Sequence, residues 1–138
     1  MPSTSDRDAR LYVEDMLEFC QRAREFAASQ TLGALLADRM RYDAILRNLE
    51  LIGEAATRVE PAHRALAPDI EWRKVVGTRN RLARAYLGIA PETIWSILID
   101  DLPSLETALH GLLDRIDQVF SRLPYETPAP RVRASCGT

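Results

Sequence analysis

Residues 42–56 read YDAILRNLELIGEAA, and within them Tyr42, Ile45, Leu49, Ile52 and Ala56 fall at three- and four-residue steps. That spacing lines one face of an α-helix, whereas a strand would alternate at every second residue. Leu35 extends the same stripe backward. Forward, the pattern stops at Glu60-Pro61, because the residue before a proline avoids helical backbone. The spacing therefore predicts a helix from about Leu32 to Val59. Gly53 is a weak point within it, of the kind that marks close packing.

The same period recurs on both sides. Leu11, Val13, Leu17, Cys20, Ala23 and Ala27 predict a long helix from Asp6 to about Ser29, after a polar Ser-Thr-Ser-Asp start that can cap it. Residues 61–70, bounded by Pro61 and Pro68, read as a connector with room for one short helical turn. Trp72, Val75, Leu82 and Tyr86 predict a third helix from about Glu71 to Leu87, with Gly88 as its stop. A fourth runs from Pro91 to about Leu123 through Ile94, Ile97, Leu98, Leu102, Leu105, Leu109, Leu112, Ile116 and Val119, and Pro103 predicts a kink in it. No period-2 run and no internal repeat interrupts this series. The expected fold is all-α, an up-and-down bundle of four or five helices. Residues 1–123 form its domain, and 124–138, rich in proline and small polar residues, form a flexible tail.

With 138 residues the chain fits one domain, and 18 basic against 20 acidic residues give a formal charge of −2. The whole molecule is therefore no polyanion binder by net charge, and such a role must rest on local charge. Cys20 and Cys136 make no disulfide framework and lack the Cys or His neighbours of a zinc site, so neither a metal nor a cofactor is expected. A polar N-terminus and the lack of any apolar run of about 18 residues point to a cytoplasmic protein away from membranes.

Local charge is concentrated in one place. From residue 73 to 84 stand Arg73, Lys74, Arg79, Arg81 and Arg84, with no acidic residue among them. The plain reading is a solvated helix face paired to acidic neighbours. The other is a helix that holds a phosphodiester backbone, since guanidinium groups fork onto phosphate oxygens. Helical geometry places Asn80 and Arg84 one turn apart but separates Arg79 from position 84 by about 140°. Those two can serve one ligand only by reach, at a helix end, or with help from a second subunit. By residue type, Trp72 and Trp95 are expected in the core, His63 and His110 at a surface or interface, and Glu54 as a solvated carboxylate.

Arg79-Asn80-Arg81-Leu82-Ala83-Arg84-Ala85-Tyr86 resembles the R-N-x-L-x-H-x-Y signature of the HepT-like toxins of the HEPN superfamily, with arginine in the histidine position. The likeness extends to residues 42–55 ending in Gly53-Glu54-Ala55, to Trp72-Arg73-Lys74-Val75-Val76-Gly77, and to Ile94-Trp95 with Asp101-Leu102-Pro103. It covers most of residues 8–120.

What this resemblance implies is a dimeric, HEPN-like, metal-independent endoribonuclease of a toxin–antitoxin pair, cutting RNA at a cleft between two copies of the motif. Its implied partner is a minimal nucleotidyltransferase antitoxin that silences it by AMPylation of the motif tyrosine, here Tyr86. Arg79 and Asn80 take the positions of the phosphate-binding arginine and its polar neighbour. Arg73, Lys74 and Arg81 are candidate RNA contacts, and Glu54 a supporting residue behind the motif. Position 84 is where a histidine would move protons near neutral pH. A guanidinium stays protonated there, so Arg84 binds phosphate but cannot act as a base. The expectation is a ribonuclease toxin disarmed in this copy. The alternative is a non-catalytic helical module that dimerises and binds an antitoxin.

Overall fold

The computed structural model describes residues 4–84 and 89–121. Its elements are α1 (Thr4–Ala27), α2 (Leu32–Ala37), α3 (Arg39–Thr57), α4 (Pro61–Arg64), α5 (Trp72–Arg84), α6 (Pro91–Ser96), a π-helical turn (Ile97–Asp101) and α7 (Leu102–Ser121). No strand occurs among the described residues, so the protein is an all-α helical bundle. The tail at 124–138, together with Tyr86 and the expected stop at Gly88, lies outside the described residues.

In α1 the buried side chains are Ala9, Val13, Met16, Leu17, Cys20, Ala23 and Ala27, a three-and-four register with Leu17 beside Met16. Leu11 sits about 200° around the helix from Ala9. It is therefore 57% exposed, which corrects its expected place in the stripe. Val119 is likewise at the surface, 36% exposed, at the far end of α7. The stripe of α1 packs on α3 and α7, and α3 in turn carries α5 on its other side. Arg10 pairs with Asp117 at 2.8 Å and Arg24 with Glu106 at 2.6 Å, so α1 and α7 run in opposite directions. Arg41 donates to the Phe26 carbonyl oxygen, while Arg58 lies over the Tyr12 ring, so α1 and α3 are antiparallel too.

Two expected helices are divided. The segment from Leu32 to Val59 is broken at Asp38, whose backbone leaves helical geometry (φ −108°, ψ 88°) and whose carboxylate accepts the Arg41 amide hydrogen at 3.1 Å. An aspartate that caps its own following turn competes with helix continuation, and here it starts α3 afresh. In the fourth segment the distortion lies ahead of Pro103 rather than at it. Proline has no N–H to return to the Ile99 carbonyl. The ladder widens over Ile97–Asp101, the Leu102 N–H bonds to the Ile97 carbonyl oxygen, and α7 then continues to Ser121. The connector does contain one short helix, α4, opened by Pro61.

His63, expected at a surface or interface, is 7% exposed, with Nε2 2.7 Å from Asp6 Oδ1. Its short helix folds back against the start of α1, so local sequence gave no sign of its burial. His110 is exposed, Trp72 is buried and Trp95 is half-buried against the core.

Candidate ribonucleolytic site

The basic segment occupies α5, an outer helix whose main packing partner is α3. The approach is close because of Gly53. A Cβ added there would overlap the Cβ of Arg79 and come within 3.0 Å of the Val75 carbonyl oxygen. Glycine lets the two helix backbones meet where any side chain would hold them apart. The Gly53-Glu54 pair of the sequence thereby acquires two functions: the first residue admits α5, and the second meets its arginine. Arg79 Nη2 lies 3.6 Å from Glu54 Oε2, with both side chains roughly one third exposed (34% and 39%). Arg79 Nη1 donates to Asn80 Oδ1 at 3.1 Å.

Arg79 is thus turned toward α3 and held from two sides, whereas Arg84 is exposed at the last described turn. Along α5 the two positions stand about 140° apart by helical geometry. Lys74 is partly neutralised: Nζ lies 3.7 Å from Glu71 and 3.8 Å from Asp101. Arg73, Arg81 and Arg84 are exposed and, among the described residues, have no acidic partner. The segment therefore divides. Lys74 and Arg79 fit the expectation of a paired surface, and the other three arginines present an unneutralised edge suited to anions. Tyr86 lies outside the described residues.

A more enclosed cavity lies elsewhere. It measures about 290 Å³ and lies between α5 and the π turn with α7, over Leu49, Ile52, Val75 and Leu105, with Lys74 and Asp101 at its rim. None of Arg79, Asn80 and Arg84 lines it. An apolar slot suits a hydrophobic group better than a phosphodiester, so the arginine edge is the stronger candidate for chemistry on a polyanion. Sequence reasoning missed Thr57, Arg64 and Gly77, which border Asn80 in space. Arg64 is brought there from α4, and nothing in its own neighbourhood of the sequence signals that. Gly77 carried a signal in being a glycine inside a helix.

Among the described residues no group of three or more His, Cys, Asp or Glu is placed to hold a metal ion, and no helix is long and apolar enough to cross a membrane.

Comparison with known proteins places this geometry in a family. The Ribonuclease HepT-like profile matches residues 16–111, which carry α3, α5 and the Gly53 approach. A probable ribonuclease HepT of Thermococcus cleftensis is 32% identical over 100 residues, covering 72% of this chain and 91% of that protein. A putative RNase of Methanocaldococcus jannaschii is 31% identical over 102 residues, covering 74% and 94%. No solved structure gives a significant match. With most of its length inside that profile and with both relatives covered almost end to end, the chain belongs to the HepT-like ribonuclease family.

Proposed function

We propose that this protein is the toxin of a toxin–antitoxin pair, a metal-independent endoribonuclease, and that the present chain is impaired at position 84. The observation that carries the reading is Arg84 itself. It stands in the motif's histidine position, exposed, on a helix edge where Arg73 and Arg81 also lack acidic partners among the described residues. In the reaction the ribose 2′-hydroxyl attacks the adjacent phosphorus and loses its proton to a base. The 5′-oxygen leaves and takes up a proton, which gives a cyclic phosphate. Arg79 offsets charge on the phosphorane and Asn80 orients the group at 84. Arginine at 84 retains phosphate affinity and removes the proton transfer.

The site is assembled by two copies in this reading. Arg79 faces α3 while residue 84 points to solvent, so an isologous dimer that sets the two TRNRLARAY segments opposite each other supplies both groups to one substrate. Sedimentation that finds only monomer at micromolar concentration overturns this part. The partner is a minimal nucleotidyltransferase antitoxin that transfers AMP from ATP to the Tyr86 hydroxyl with release of pyrophosphate, adding a phosphate that would compete with RNA for the arginines. Intact-mass measurement with enzyme, ATP and Mg²⁺ tests it: equal modification of this chain and of Tyr86→Phe places the target elsewhere.

The deciding experiment is Arg84→His. General acid–base catalysis contributes about 10²- to 10⁴-fold in rate. RNA cleavage should rise by that order, with RNA binding retained. No gain, alongside efficient cutting by the present chain, refutes the role given to position 84. No cutting by either chain favours the second reading, a dimerising, antitoxin-binding module without catalysis.

A further inference from the structure

Beside Asn80 the surface of α5 forms a shallow, open cleft bordered by Thr57, Arg64, Trp72, Arg73, Val76, Gly77 and Asn80. One wall is a guanidinium with little freedom. Arg64 donates from Nε to the Val59 carbonyl oxygen at 2.9 Å and from Nη2 to that of Ala56 at 3.0 Å. Its Cζ stands 5.5 Å from the centroid of the Trp72 ring. Trp72 is buried and donates from Nε1 to the Ala67 carbonyl oxygen at 3.2 Å. A planar ligand stacking on Arg64 would meet a surface already ordered, which lowers the entropy cost of binding.

The rim supplies polar atoms of both kinds. Asn80 Oδ1 accepts from Arg79, which fixes the amide and leaves its Nδ2 hydrogens for a ligand. Thr57 Oγ1 donates to the Glu54 carbonyl oxygen at 2.6 Å and so offers lone pairs. Arg73 is exposed at the mouth. Gly77 lies at that mouth, where a Cβ would meet nothing within 4 Å. Glycine weakens a helix interior relative to alanine, and no neighbour in this chain requires it. What its missing side chain preserves is the space between Arg73 and Asn80.

We propose that this cleft seats one unstacked nucleobase of single-stranded RNA, next to the nucleotide cleaved at position 84. Arg64 stacks on the base, Asn80 and Thr57 bond its edge, and Arg73 holds the adjoining phosphate. Recognition of splayed bases on guanidinium planes is available to single strands and denied to paired ones. The cleft's lining carries Arg64 and Arg73 and no acidic residue, which suits an anionic strand. The inference rests on the ribonuclease reading above and names the substrate class for it.

The test is fluorescence anisotropy of the full chain with short labelled oligoribonucleotides of A, C, G or U and with an RNA duplex. Single strands should bind more tightly than the duplex. Gly77→Leu should weaken single-strand binding about tenfold or more by occupying the space of a stacked base. Gly77→Leu binding RNA normally while Arg73→Glu loses it overturns the cleft and leaves the ribonuclease reading intact. No single-strand binding by the unchanged chain overturns both. Should Gly77→Leu lower the melting temperature, base preference decides. The four oligomers should differ in affinity several-fold and converge on Asn80→Ala, and four equal affinities on the unchanged chain overturn the proposal.

Discussion

Gly53→Ala and Gly77→Ala make the same chemical change inside two helices, and the structure gives them opposite signs. In a helix interior alanine is favoured over glycine by about 1 kcal/mol. At Gly77 nothing lies within 4 Å of the new methyl, so the gain stands, and stability should rise by about 0.5–1 kcal/mol. At Gly53 the methyl overlaps the Arg79 Cβ and sits 3.0 Å from the Val75 carbonyl oxygen. Cβ and carbonyl are backbone-fixed, so α5 itself must move. Overpacking of this kind costs about 1–3 kcal/mol, and the upper half applies where no flexible side chain can yield. Net of the helix gain, Gly53→Ala should destabilise by about 1–2 kcal/mol. For a domain of this size each kcal/mol moves Tm by about 3–5 °C. Differential scanning calorimetry of both variants reads the result. Restored activity in an Arg84→His background adds a second readout, since displacing α5 separates Arg79 from Glu54. A Gly53→Ala chain that melts at or above the parent temperature refutes the close approach of α3 and α5.

Salt dependence should divide the basic residues: Arg73→Ala and Arg81→Ala should each lower the slope of log K against log salt by about 0.7 for single-stranded RNA. Lys74→Ala should change it less, because Glu71 and Asp101 already neutralise that ammonium. Cys20 is buried, and burial, with a smaller push from Glu106, raises its thiol from 9.0 to about 12 against a lowering effect of Arg24. The folded chain therefore holds this proton more tightly than the unfolded one. Its contribution to stability is complete below pH 9 and declines as pH rises toward 12, and denaturant titrations should show a shallower alkaline loss in Cys20→Ala. His63→Ala removes a buried hydrogen bond to Asp6 and should lower stability by about 1–3 kcal/mol, whereas His110→Ala, at an exposed site, should leave the melting temperature unchanged.

Much of this protein was determined along the chain. Three- and four-residue apolar steps fix α1, α3 and α7 because a helix buries one face whatever it packs against. The run of cations on α5 and the arginine at position 84 are equally local facts, and the likeness to the HepT-like ribonuclease family was legible in the same residues. The sequence also carried the two interruptions, Asp38 and Pro103, but not their outcome. A capping carboxylate and a missing N–H each permit more than one local geometry, and packing selected a new helix start in one case and a widened turn upstream in the other. Only the tertiary structure decided which charges are spent. Arg79 finds a carboxylate from α3, and Lys74 finds one from the π turn besides the local Glu71, while Arg73 and Arg81 find none among the described residues. His63 was buried by contact with a residue 57 positions away. Gly53 and Gly77 read alike as helix glycines, and they differ because α5 crosses α3 at the first and leaves the second open to solvent. Periodicity reports a face, but which neighbour covers that face depends on contacts that no local stretch encodes.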